Sequence, residues 1–168
     1  MMFDLEQFLP QQVCIKCKGC CRFAEKAGPW QPSLLEEEIG VISQSCPAQA
    51  AAVQCGTIQL SPFDDYYVCP FLNTADNRCR IYDVRPFECR LYPFFINKTR
   101  EGIYLSADLN CPFIKDKAGA SELSDYVNYL VSFLSLPVVA SAIKRNPRIQ
   151  ADYSQANSKL KNLATLVL

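Results

Sequence analysis

The 168-residue sequence predicts an α+β protein, a helical scaffold carrying an irregular, cysteine-lined region of short β-hairpins. Three observations predict it. Apolar residues recur at helical spacing in the first third of the chain and again beyond Ser121. Between them, from Gly56, the character changes to β-branched residues, aromatics and turn formers. Ten cysteines, an unusual number at this length, run through the chain ahead of the second helical region. The length suits one domain with its own core, residues 1–168, comprising a cysteine cluster at 14–112 and a helical part at 121–168.

The elements are read in order. Residues 4–9 predict a short helix that stops before Pro10. CIKCKGCC, residues 14–21, reads as a glycine-containing loop, followed by one or two helical turns in CRFAEKA. Gly28-Pro29 and Pro32 break the chain, and Ser33 with Glu36 has the pattern of a capping box ahead of an amphipathic helix over 34–45, with Leu35, Ile39 and Ile42 in register. AQAAAVQ predicts a second short helix after Pro47, ending near Gly56. Residues 66–69 and 79–82 read as strands flanking the turn-rich NTADNR, and 94–97 with 103–106 as another pair around KTREG. Helices follow from Ser121 to Pro137, on through Lys144, and over 152–167 with Leu160, Leu163 and Val167 in register. These helices are expected to supply the core.

Seventeen Lys and Arg balance seventeen Asp and Glu, so no net positive field draws a nucleic acid. MMFDLEQFLPQQ has early acids, no basic segment and no apolar run of signal length, and the expected location is the cytoplasm. The apolar stretch 126–143 is interrupted by Asn128, serines and Pro137 and barely reaches spanning length, so no membrane is expected as a partner. In a reducing compartment many cysteines point to metal rather than disulfides. Histidine is absent, which excludes Cys/His zinc fingers, HExxH sites and His-activated nucleophiles. Zinc or iron here has to be held by sulfur, with at most a carboxylate beside it.

Cys14, Cys17, Cys20 and Cys21 make C-x-x-C-x-x-C-C. Two-residue spacers let the backbone curl so that successive sulfurs converge on an ion or cluster. Gly19 lies in the curl, either as a residue of positive φ that turns amides toward sulfur or as an ordinary turn glycine. The side chains of Cys20 and Cys21 diverge, so either more than one metal atom is held or one of the pair is a spare thiol. The spacing departs from a bacterial ferredoxin run, whose fourth cysteine lies three residues on and precedes proline. No CxxxCxxC, GxGxxG or P-loop lysine motif is present.

Further along come Cys69-Pro-Phe-Leu, Cys79-Arg-Ile-Tyr, Arg85-Pro-Phe-Glu-Cys89-Arg-Leu-Tyr-Pro-Phe and Cys111-Pro. In this order the motifs, from Cys14 to Pro112, resemble those of the YkgJ-type cysteine-cluster family, described as zinc- or iron-chelating and often labelled Fe–S oxidoreductases. The resemblance implies an eight-cysteine ligand set that falls on Cys14, Cys17, Cys20, Cys21, Cys69, Cys79, Cys89 and Cys111. Cys46 and Cys55 lie outside that pattern, in a segment expected to be helical, and read as ordinary buried thiols.

Arg78, Arg80, Arg85, Arg90 and Arg100, with Lys98, accompany the later cysteines. Four thiolates around zinc or a [4Fe–4S] core leave about two net negative charges, which such cations offset; equally, Arg85 and Arg90 pair with Asp83 and Glu88 to fix loops. Phe87, Tyr92, Phe94 and Phe95 read as core, and Pro86, Pro93 and Pro112 as stiffeners of the ligand loops. Two functions stay open. One is a metal–sulfur protein with an iron–sulfur cluster or iron, of redox or electron-transfer type, with oxidoreductase activity and a redox partner. The other is a structural zinc module that binds another protein. The motif is also similar to one in flagellin lysine methylases, which implies a protein-modifying role, although no methyl-donor pocket is legible in these residues.

Overall fold

The computed structural model describes residues 3–153, Ala156 and 159–168. Helices make up 38% and strands 22%, the strands in small sheets, so the protein is α+β as its sequence predicts. The described chain forms two compact units, Leu9–Arg90 and Phe3–Phe8 with Leu91–Leu168.

In the first unit, α1 (Gln11–Cys17) starts directly after Pro10. The helix expected at 4–9 does not form. Proline has no N–H to leave unpaired and its fixed φ suits a helix start, so the helix lies after it rather than before. The segment 14–21 is therefore half helix, not all loop, and β1 (Arg22–Phe23) replaces the helical turns expected in CRFAEKA. The predicted amphipathic helix is present as α2 (Glu36–Ser45), but its cap is not Ser33 with Glu36. Leu35 is at the N-cap with no side-chain acceptor of its own, and Glu38 reaches back to accept its N–H at 3.0 Å. Pro47–Ala52 is a 3₁₀ helix. A hairpin of β2 (Val53–Gln54) and β3 (Thr57–Ile58) then turns at Cys55-Gly56, both at positive φ.

Strands β4 (Ser61–Phe63) and β5 (Tyr66–Val68) join β1 in an antiparallel sheet of order β1-β5-β4. Next comes a hairpin of β6 (Leu72–Asn73) and β7 (Arg78–Cys79). The sequence had suggested that 66–69 and 79–82 flank one turn. Instead 66–68 is taken by neighbours on both sides, and the strand facing Cys79 begins at Leu72. The short helix α3 (Phe87–Leu91) follows. Leu34, Ile42, Ile58, Leu60, Phe71 and Ile81 are the centre of the unit's core. Each fully buried side chain of this size contributes about 1.5–3 kcal/mol.

The second unit contains the predicted hairpin, β8 (Phe94–Lys98) with β9 (Ile103–Asp108), followed by α4 (Pro112–Asp116), α5 (Ser121–Leu134) and α6 (Pro137–Arg145). Its sheet has the order β10-β8-β9-β11, with β10 (Gln150–Ala151) parallel to β8 and β11 (Leu160–Thr165) antiparallel to β9. The helix expected over 152–167 is thus corrected at its better-patterned end, positions 154, 155, 157 and 158 lying outside the described residues. The open edge of β9 pairs with 160–165 from Leu160↔Asp108 to Thr165↔Tyr104, and that ladder overrides a helical spacing of three apolar residues. The core comes from sheet and helices together: Phe94, Ile96 and Leu105 are as buried as Leu130, Leu134 and Ile143. Phe8 stacks on Tyr126 at 4.7 Å, and the Tyr126 hydroxyl donates to the Glu6 carbonyl at 2.6 Å. Among the described residues no single helix is long and apolar enough to cross a membrane; α5 and α6 reach that composition only as a pair bent by 74°.

Candidate metal centre

On α1, Cys14 and Cys17 stand three residues apart and share a helix face. Lys18 ends the helix in the left-handed conformation, φ 58°, its N–H still bonded to the Cys14 carbonyl at 3.2 Å. Positive φ falls on Lys18 and on Cys21, 64°, and not on Gly19, so of the two sequence readings of that glycine the positive-φ one is corrected. A Cβ on Gly19 would sit in ordinary contact with the Cys17 Sγ, at 3.4 Å, so that thiol lies over the turn. The reversal brings Cys20 to Cys14, and the two thiols hydrogen-bond. With Cys20 donating, and with the Arg85 charge adding to the effect, the Cys14 thiol is lowered to about 7 against the opposing effect of burial.

Cys21 faces elsewhere. Its left-handed backbone sends the thiol to Cys69, to which it is hydrogen-bonded. The Cys69 N–H also donates to the Cys21 carbonyl at 3.0 Å, next to the Arg22↔Val68 pair of β1 and β5. The turn after Cys69, closed by Leu72 N–H to Cys69 O at 2.9 Å, places Leu72 opposite Cys79. Cys89 arrives on α3. Bonding to Cys69 and burial push the Cys21 thiol well up, burial pushes Cys79 up to about 11, and burial pushes Cys89 well up, each aggravated by the charge of its sulfur neighbours.

Two arginines face this sulfur. Arg85 favours the thiolates of Cys14 and Cys79, and it is held by a 2.9 Å bond to the Tyr82 carbonyl with its guanidinium 3.7 Å over the Tyr82 ring. Arg22, which the sequence reading missed although it directly follows Cys21, acts on Cys21 and donates to Lys18 O at 3.0 Å and Asn77 Oδ1 at 2.6 Å, tying the cysteine turn to the β6–β7 turn. Arg90 pairs with Glu38 at 3.5 Å.

Glu38 is the second residue missed, since nothing distinguishes it within the EEE run. Its carboxylate, 2% exposed, accepts the N–H of Leu35 at 3.0 Å and of Phe87 at 2.7 Å. In return Glu88 accepts the N–H of Ser33 at 2.6 Å. This reciprocal clasp joins the start of α2 to the start of α3 and so fixes the helix that carries Cys89. Burial raises the Glu38 pKa, while the two N–H groups and the Arg90 guanidinium pull it back.

Seven of the eight expected ligands thus belong to the first unit. Cys111 belongs to the second, where it is buried at the N-cap of α4. None of the ten cysteines is in a disulfide. The two outside the pattern differ from expectation. Cys55 is exposed on a hairpin turn, and Cys46 is half-buried, donating to Gln49 Oε1 at 2.7 Å with its sulfur near enough to raise Cys79. Among the described residues no group of three or more Cys, Asp or Glu side chains is closed around a point where one ion would sit; Cys14 with Cys20, and Cys21 with Cys69, stand as hydrogen-bonded pairs. The donors are soft thiols with no imidazole among them, a set that fits zinc or iron.

The profile of a protein family described as "CxxCxxCC: Putative zinc- or iron-chelating domain" matches residues 13–112. The chain belongs to that family. No curated protein and no solved structure matches it. Membership of the CxxCxxCC family agrees with zinc or iron binding, and the cysteine pattern gives the two cysteines outside it a definite expectation. Cys46→Ser and Cys55→Ser should each keep the wild-type metal content by elemental analysis, the first because its S–H is committed to Gln49 and the second because it faces solvent. Metal loss in either variant would enlarge the ligand set.

Proposed function

We propose that this protein is a metal–thiolate protein that holds zinc or iron through Cys14, Cys17, Cys20, Cys21, Cys69, Cys79 and Cys89, with Cys111 entering the set through the family resemblance alone. The observation that carries the reading is the mutual interaction of sulfurs from four separate stretches of chain, the α1 turn, the β1–β5 end, β7 and α3. Thiols that burial would keep protonated gain most from a cation that replaces the proton. A bound metal would cross-link these stretches and, as iron, supply a one-electron centre. Arg22 and Arg85 favour sulfur in its anionic form, which supports an iron–sulfur or iron centre with a redox partner. Strands of only two or three residues support the alternative, a structural zinc module.

Protein purified without air and submitted to metal analysis and a visible spectrum tests this. At least one zinc or iron atom per chain is expected, colourless for zinc and absorbing toward the blue edge for iron–sulfur. Metal-free protein with all ten thiols reactive would overturn it.

A further inference from the structure

Cys21 and Cys69 are brought face to face by the main chain. β1 and β5 run antiparallel with Arg22 opposite Val68, so one step past that pair Cys21 stands opposite Cys69, and the Cys69 N–H donates to the Cys21 carbonyl at 3.0 Å. Residues facing each other across an antiparallel pair have Cα atoms about 4.5–5.5 Å apart, inside the range of about 4.4–6.8 Å that a disulfide spans. The thiols meet as well, hydrogen-bonded to each other. The turn from Cys69 to Leu72, closed at 2.9 Å, fixes Cys69 from its other side. Cys14 and Cys20 also pair through their thiols, but within a single turn of the chain and without a sheet to hold them.

We infer that Cys21 and Cys69 are a redox dithiol, closed to a cross-strand disulfide by a small-molecule disulfide and reopened by a small thiol. Cys69 is only 6% exposed, whereas Cys21 is half-buried, so Cys21 is the sulfur that a reagent reaches first. As a thiolate it attacks one sulfur of the reagent, and the other leaves as a thiol carrying the Cys21 proton. Cys69 then attacks the Cys21 sulfur of this mixed disulfide, and the second half of the reagent leaves with the Cys69 proton. Two protein S–H groups are oxidised, one reagent S–S bond is reduced to two thiols, and no further reactant is required. Leu34, Ile42, Ile58 and Leu60 of the core lie between the two cysteines in sequence, so the link ties together the ends of the segment that supplies them. Closure also withdraws two sulfurs from the ligand set, so that oxidation and metal compete for the same atoms; this consequence alone rests on the metal-binding reading above.

The test treats the full chain, as purified, with excess glutathione disulfide and maps the linked peptides by mass spectrometry after tryptic digestion without reduction. Cleavage after Lys18, Arg22, Lys26 and Arg78 puts Cys21 in peptide 19–22 and Cys69 in peptide 27–78. The dominant product should join these two peptides, with dithiothreitol restoring both thiols. The link should persist in Cys20→Ser, Cys46→Ser and Cys55→Ser and vanish in Cys21→Ser and Cys69→Ser; if one of the last two is insoluble, the other decides. A dominant link from peptide 19–22 to the peptide of Cys14 would overturn the inference, as would a link that survives in Cys69→Ser or oxidation that stops at glutathione adducts. Metal analysis of the same samples keeps the two readings apart. Metal should leave in step with the link, and a link formed with all metal retained would remove Cys21 and Cys69 from the ligand set while leaving the dithiol established.

Discussion

Glu38→Ala is expected to destabilise the unit Leu9–Arg90 by about 3–5 kcal/mol. The substitution strands two buried backbone donors, the N–H groups of Leu35 and Phe87, each at about 1–3 kcal/mol, and it removes the carboxylate that faces Arg90. Glu38→Gln separates acceptor from shape. Both carboxylate oxygens accept a backbone N–H, so a carboxamide sets its own NH₂ donor against one of them and should cost about 1–3 kcal/mol. Denaturant unfolding of metal-loaded protein measures both, and a Glu38→Gln midpoint equal to wild type would refute the clasp. The pH dependence has a sign as well. Because burial raises the folded pKa, the stability linked to Glu38 is full below its unfolded value and declines as pH rises through the folded one. Glutamine does not titrate, so the gap between wild type and Glu38→Gln should narrow toward alkaline pH.

Chelation of the metal is expected to have a larger effect, on the order of 10 kcal/mol for the first unit, as in small structural zinc domains. Its strands of two or three residues bury little by themselves, whereas β8 and β9 carry five and six residues on a core shared with α5 and α6. Hydrogen exchange should therefore show β1, β5, β6 and β7 losing protection on chelation while β8 and β9 keep theirs. Equal loss in both units would contradict the assignment of the metal to the first. Reloading should release protons. With Cys79 at about 11 and Cys21 and Cys89 well above the usual thiol value, each gives up about one proton to bind at neutral pH, and Cys14, at about 7, about half of one. Affinity thus rises with pH and acid releases the metal, which calorimetry in buffers of different ionisation enthalpy will read directly.

How much of this could be seen in the sequence depends on how local each signal was. The α+β class, α2, α5, α6 and the β8–β9 hairpin were legible because period and turn residues lie within one segment. The helix expected at 152–167 failed because Leu160, Leu163 and Val167 suit a helix by spacing, while the edge of β9 that claims residues 160–165, from Leu160↔Asp108 to Thr165↔Tyr104, lies far away in sequence. The divergence of Cys20 and Cys21 followed from adjacency alone, but the device that directs it, the left-handed residue at Cys21 rather than Gly19, does not follow from residue type, since cysteine seldom adopts that conformation. Glu38 was invisible for a similar reason: three consecutive glutamates look alike until the fold delivers Phe87 to one of them.

The second unit is made of Phe3–Phe8 and Leu91–Leu168, with Phe8 packed 6.2 Å from Phe94, so the whole stretch Leu9–Arg90 is a loop whose two ends are fastened to the same body. If a metal held by this unit left and its short strands opened, the chain between those ends could not expand as a free polymer would. Closing a loop of roughly eighty residues costs about 4 kcal/mol in chain entropy, and here that cost stays settled for as long as the second unit is folded. The sulfurs of an emptied site consequently wander in a restricted volume, at a high effective concentration toward one another. Once a first thiolate had taken an ion from solution, closure by the others would be intramolecular, and such a unit would refill without having to fold anew from an open chain.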